Sequence, residues 1–266
     1  MSEREEYTAE TYPSFGKKYN GEKAIISLTS WKARINTVSK TLFSLLKQCP
    51  GFHIVLVLSE EEFPKMMDEL PDNLKLFVDN ELIEVLWVKE NLKSHKKYFY
   101  TIQKYNNLPI ILADDDLTYL TNFAEKLYNK HLEFKDSIIA NRCHLIKFND
   151  KNILPYKQWE YETKVNRNKK LFFTSGAGTL LPPNFFNIVK PNISDIKNCL
   201  TADDIYLNYL TIKNNIEVIN LNNFKQSYKE RTENIKNGLA QYNTKGNNLN
   251  DKYINEFKNV FIKIKV

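Results

Sequence analysis

The feature that most constrains this chain is a regular alternation of short apolar runs with helix-period segments through its first half. Apolar runs at 24–28, 52–58, 83–88 and 108–112 read as buried strands. Between them, 38–48 places Leu42, Leu45 and Leu46 on one helical face. A helix over 60–70, acidic in its first turn as the dipole prefers, and another over 95–105 follow. The next helix, over 122–132, opens with Asn122 and Glu125 at capping-box spacing. Strand and helix succeed each other roughly every 25 residues, the pattern of a mainly parallel sheet wound with helices. In such sheets ligands bind just beyond the carboxyl ends of the strands.

The fourth strand delivers three consecutive carboxylates, Asp114, Asp115 and Asp116, to that rim. Like charges repel there unless a cation sits among them. A divalent ion such as Mg²⁺ or Mn²⁺, held by one or two carboxylates and by substrate phosphates, removes that cost. A solvated strand-to-helix loop is the competing reading.

The second half is less regular. A strand is expected over 137–140, then a polar stretch over 141–170 in which Tyr156, Trp159 and Tyr161 cluster. An apolar run over 171–174 leads into Ser175-Gly176-Ala177-Gly178, a tight turn where backbone can approach a ligand closely. A helix over 201–213 and a last strand over 216–221 complete the regular part. Residues 222–266 are rich in Asn and Lys, with weak periodicity up to about Tyr253.

A chain of 266 residues buries a substantial core, as one large α/β domain or two small ones. The net charge of +6 suits an anionic substrate or membrane surface but lacks the dense basic stripe of a nucleic-acid binder. Cys49, Cys143 and Cys199 are too few and scattered for a disulfide scaffold. The acidic start is no signal peptide and no apolar run is long enough to span a bilayer, so the cytoplasm is expected. The sequon Asn192-Ile193-Ser194 has no meaning without secretion.

Three further groups could carry chemistry. Asp203 and Asp204 open the 201–213 helix, where Thr201 and Asp204 are also spaced as a capping box. As chemistry, one of them is a general base for an acceptor hydroxyl. Lys96 and Lys97 fall in the first turn of a helix that Ser94 would cap, where the dipole disfavours cations and a bound phosphate would favour them. A solvated face is the alternative. Tyr156, Trp159 and Tyr161 could stack on a sugar or belong to the core, and His144 beside Arg142 reads as a core histidine.

In order along the chain, Ile25 to Ile35 with its loop Thr29-Ser30-Trp31-Lys32-Ala33-Arg34, Leu58 to Pro64, Asn91 to Tyr98, Ala113 to Thr118 and Ala202 to Leu207 resemble a bacterial GT-A-type glycosyltransferase of capsular or lipopolysaccharide biosynthesis. The resemblance spans roughly residues 24 to 220 and implies a GT-A, nucleotide-diphospho-sugar transferase fold: α/β, a mainly parallel central sheet flanked by helices. It implies a single glycosyltransferase domain with a nucleotide-sugar half over 22–134, an acceptor and catalytic half over 135–221 and a basic extension over 222–266. Asp114 and Asp116 would be the DxD pair holding Mn²⁺ or Mg²⁺ on the donor diphosphate, and Asp115 would reach the ribose. Thr29, Ser30, Trp31 and Arg34 would hold the nucleotide, and Lys96 and Lys97 the phosphates. Trp159, Gly176, Ala177 and Gly178 would face the acceptor. Asp204, with Asp203 beside it, falls where inverting relatives carry the base. Some relatives add a histidine metal ligand near the C-terminus, and this chain has no histidine after His144.

The implied partners are a UDP- or GDP-sugar and a glycan or lipid-linked acceptor. The basic residues of 222–266, among them Lys225, Lys229, Arg231, Lys236, Lys245 and Lys252, would supply peripheral contact with an anionic membrane face. Two rivals remain. Asp114-Asp115-Asp116-Leu117-Thr118 also fits the DxDxT of haloacid-dehalogenase-type phosphatases, although that motif normally follows the first strand and not the fourth. A non-catalytic module binding sugar or an anionic surface is the other.

Overall fold

The computed structural model describes residues 23–48, 51–150, 152–231 and 248–265. Seven strands form one central sheet: β1 (Ala24–Thr29), β2 (Phe52–Ser59), β3 (Glu84–Val88), β4 (Ile110–Leu112), β6 (Ile138–Ala140), β9 (Thr179–Leu181) and β10 (Val218–Asn220). Their order is β10-β6-β9-β4-β1-β2-β3, and only β9 runs antiparallel to its neighbours. The chain thus has a mixed α/β fold with a mostly parallel sheet, and strands from both expected halves share it.

Helices cover both faces, which explains why the strands read as unbroken apolar runs. Ile25, Val55, Val57, Ile110 and Leu112 face one core, with residues of α3 (Lys96–Lys104), α5 (Phe185–Val189), α6 (Ile193–Asn198) and α7 (Asp203–Lys213). Ile26, Leu28, Ile54, Leu56, Leu58 and Ile111 face the other, with α1 (Val38–Leu46), α2 (Asp72–Asp79) and α4 (Phe123–Glu133). The strict alternation along β1 and β2 fixes which side chains each layer receives.

Several local expectations are corrected. The helix expected over 60–70 is absent: turns and a short 3₁₀ segment, Met66–Glu69, take its place, and α2 begins only at Asp72. Pro64 stands inside the expected span and breaks it, and Pro71 pushes the residue before it out of the helical region, so Leu70 is extended with ψ 144°. Asn122 does not cap α4 through its side chain; it turns the chain in the left-handed region at φ 68°, which asparagine tolerates. Its expected partner Glu125 instead holds Lys23 at 3.2 Å. Ser94 does not cap α3 either, whose first residue follows the 3₁₀ turn Lys93–His95.

Two small antiparallel pairs complete the molecule. β7 (Cys143–Leu145) pairs with β8 (Leu171–Phe173), and β5 (Leu117–Tyr119) pairs with β11 (Tyr228–Glu230). The second pair brings the start of the basic extension back onto the aspartate loop. Helices Leu249–Glu256 and Lys258–Phe261 then close against α7, where Phe257 stacks on Tyr209 at 4.3 Å. Lys236, Lys245, Cys49 and the arm before Lys23 lie outside the described residues. Among the described residues no helix is long and apolar enough to cross a membrane.

Candidate functional site

β4 ends at Leu112, and its neighbour β1 ends at Thr29, so the aspartate loop and the loop 29–34 leave the sheet side by side. Asp115 joins them. It is buried, accepts from Ser30 Oγ at 2.7 Å and holds the Arg34 guanidinium at 2.5 Å. Ser30 and Arg34, expected on a nucleotide, therefore clamp the acidic loop, and Asp115 has its oxygens occupied rather than turned to a ribose. Arg34 also reaches Asp116 at 3.0 Å. Thr29 Oγ1 donates to Val57 O, and Trp31 is 41% exposed.

The loop's backbone is held as firmly. Thr41 Oγ1 and Arg231 both donate to the Asp115 carbonyl at 2.9 Å, and Arg231 also donates to Thr37 O. The Asp114 N–H donates to Tyr119 Oη at 2.7 Å, and that phenol donates to Gly176 O at 2.8 Å. In the turn these bonds hold, the Asp114 and Asp116 carboxylates stay partly exposed while that of Asp115 is buried.

Lys97 connects this loop to the second acidic pair. It is 2% exposed, and its Nζ lies 2.6 Å from Asp114 Oδ1 and 3.0 Å from Asp203 Oδ2. α3 presents it there because Ser27 Oγ of β1 bonds the Lys97 carbonyl and Thr101 Oγ1. Burial opposes the ammonium, but Asp114 and Asp203 outweigh it and push its pKa above the usual lysine value. Lys96 is also buried, paired with Glu62 at 2.7 Å. The two lysines are thus neither a solvated face nor free for phosphate: each already holds carboxylate.

Asp203 and Asp204 begin α7, but neither caps it through its side chain; the N-cap residue is Ala202. The expected Thr201–Asp204 capping box is absent because Ser175 takes both carboxylates. Its N–H donates to Asp204 Oδ1 and its Oγ to Asp203 Oδ2, each at 2.8 Å. Asn208, one turn further along α7, exchanges bonds with Phe173 N and O and so locks the helix to β8. The pair is electrically split. Despite burial, Lys97 holds Asp203 down at about 2, whereas burial and then the Asp203 charge raise Asp204 to about 6. Of the two, Asp204 is the better proton acceptor.

Gly176 is required where it stands. A Cβ there would lie 1.6 Å from Asp114 Oδ2, so only glycine lets that carboxylate cross the turn. Gly178 has φ +99° and sits against Phe123 and Asn141, and Ala177 is buried; both build the turn rather than line a surface. Trp159 is 4% exposed, packed on Tyr156 and Phe172 with its indole N–H on Leu154 O, so it offers a sugar no ring face. Tyr161, 46% exposed, is the open ring of that cluster. His144 is a core histidine, as expected, with burial lowering it to about 4.

Among the described residues no group of three or more histidine, cysteine, aspartate or glutamate side chains forms a ready-made metal site. Asp114 and Asp116 nevertheless fit an ion held by two carboxylates and completed by phosphate and water oxygens. The Asp114 carboxylate is 42% exposed and only its Oδ1 is ion-paired. Burial and then the Asp114 charge raise Asp116 to about 6 even with Arg34 beside it, and a bound cation would favour its ionised form.

No protein-family model matches the sequence, and no curated protein does. Among solved structures the chain is similar to that of S. aureus TarS 1-349 in complex with UDP, at 14% identity and a TM-score of 0.49. The likeness covers 77% of this chain, and this chain spans 59% of the TarS one.

Proposed function

We infer that the chain is a metal-dependent GT-A-type glycosyltransferase. It would move a sugar from a UDP- or GDP-sugar to a hydroxyl of a glycan or lipid-linked acceptor, with inversion. One observation carries this reading: Lys97 bridges Asp114 of the aspartate loop and Asp203 of α7, whose neighbour Asp204 shares Ser175 with it. That bridge supports a reading in which a cation held by the loop and a proton acceptor on α7 serve one reaction.

Bound at Asp114 and Asp116, Mn²⁺ or Mg²⁺ would supply charge stabilisation for the departing diphosphate. Trp31 offers its exposed ring to the nucleotide base. Asp204 accepts the acceptor hydroxyl proton as the oxygen attacks the anomeric carbon and the bond to diphosphate breaks. Asp203, kept ionised by Lys97, repels further negative charge on Asp204 and so raises its basicity. Ser175 fixes the direction of both carboxylates. A phosphatase reading leaves the Lys97–Asp203–Ser175–Asp204 assembly without a role.

The test is a thermal-shift screen of nucleotide sugars with and without Mn²⁺. A UDP- or GDP-sugar should raise the melting temperature only with the ion, and Asp116→Asn should lose the response. Stabilisation by phosphomonoesters instead, with phosphate release, would overturn the assignment in favour of a phosphatase.

A further inference from the structure

The geometry points to an anion-binding subsite at Arg142 and so to an acceptor that carries a phosphate or carboxylate group close to the hydroxyl being glycosylated. This rests on the transferase reading above and names the chemistry of its second substrate. Arg142 lies between β6 and β7 and is half-buried. Its Nε donates to Thr174 Oγ1 at 2.8 Å and its Nη1 to Tyr228 Oη at 2.7 Å. Both partners are neutral hydroxyls. Arg34, Lys96 and Lys97 around the same cleft each hold a carboxylate within 3.0 Å, whereas no carboxylate among the described residues pairs with Arg142.

A half-buried charge without a counter-charge costs free energy, and a guanidinium anchored at two of its nitrogens keeps its remaining donors in a fixed direction. Both anchors adjoin the chemistry. Thr174 immediately precedes Ser175, whose N–H holds Asp204, and the Arg142 carbonyl accepts from Thr174 N. Tyr228 pairs with Tyr119, whose phenol accepts from the Asp114 N–H. The cation is therefore tied through Thr174 and Ser175 to the base, and through Tyr228 and Tyr119 to the aspartate loop. An acceptor reaching Asp204 brings an anionic group alongside Arg142, where a charge-assisted, two-donor contact is available.

The test uses the full chain with Mn²⁺ and UDP and compares glucose 6-phosphate and glucuronate with glucose as probes, by calorimetry. Both anionic probes should bind at least roughly tenfold more tightly than glucose, the weight of one charge-assisted contact in a half-exposed setting. Arg142→Gln should remove that preference and Arg142→Lys should keep part of it. Equal binding of the three probes to the native chain overturns the proposal. So does equal loss in both variants with a fallen melting temperature, which would make Arg142 a tether for Thr174 and Tyr228. UDP affinity, and the ratio for UDP-glucuronate against UDP-glucose, are read in the same variants. If Arg142→Gln changes either, the cation serves the donor and the acceptor assignment falls. If the native chain binds no nucleotide but still prefers the anionic probes, the transferase reading fails while the anion subsite stands.

Discussion

Gly176→Ala isolates the aspartate loop from the rest of the fold. The substitution is backbone-neutral, because the residue has no positive φ, yet its Cβ would fall 1.6 Å from Asp114 Oδ2 and 2.1 Å from Cγ. Non-bonded carbon and oxygen settle near 3.5 Å, so the carboxylate must retreat by roughly 2 Å. That takes Asp114 Oδ1 out of hydrogen-bond range of Lys97, now at 2.6 Å. Losing one charge-assisted contact costs about 1.5–3 kcal/mol, roughly tenfold to 150-fold in affinity for an ion that depends on Asp114. Stability should suffer less, because the Asp114 carboxylate is 42% exposed and water replaces what it loses. A melting-temperature drop of a few degrees is expected, at about 2–4 °C per kcal/mol for a chain this long. The assay is Mn²⁺ binding by electron paramagnetic resonance, with and without UDP. Gly178→Ala is the contrast: its φ of +99° and its contact with Phe123 predict a large stability loss whatever the ligand. Native Mn²⁺ affinity in a well-folded Gly176→Ala protein would refute the placement of the ion at Asp114.

Asp204→Asn should leave donor binding intact and remove transfer, read as sugar-nucleotide consumption with acceptor present. In the native chain the rate should climb as pH rises through about 6, because Asp204 must lose its proton to act as the base. Its raised pKa also means that stability falls as pH rises from near 4 to 6, since the folded chain binds that proton more tightly. Asp204→Asn should flatten this slope, and a pH-independent stability difference would contradict it. Lys97→Met strands two carboxylates and should cost about 3–5 kcal/mol in urea unfolding, and Asp203→Asn in the same chain should recover part of it. No recovery would mean that Lys97 and Asp203 are not energetically coupled.

How far the sequence foretold this arrangement depended on how local each cause is. The strands at 24–29, 52–59 and 84–88 were legible because burial on both faces leaves continuous apolar runs. The position of Asp114–Asp116 at the sheet rim followed from the end of β4. Long-range pairing was not legible. Nothing local says that Lys96 meets Glu62, that Lys97 meets Asp114 and Asp203, or that Asp115 turns inward to Ser30 and Arg34. Ser175 and Tyr119, which orient the carboxylates, had no signal beyond a glycine turn and an aromatic residue. From sequence Arg231 reads as part of a basic tail, because a three-residue strand such as β11 is too short to show a period. The misplaced second helix has a local cause that the acidic run outweighs: Pro64 interrupts the span and Pro71 sets the start of α2.

The most direct measurement is the anomalous scattering of manganese in a crystal soaked with Mn²⁺ and UDP. The account predicts one ion within coordination distance of Asp114 and Asp116, bridging to the diphosphate, with the uracil against Trp31. UDP seated elsewhere, or an ion that avoids both carboxylates, would contradict it.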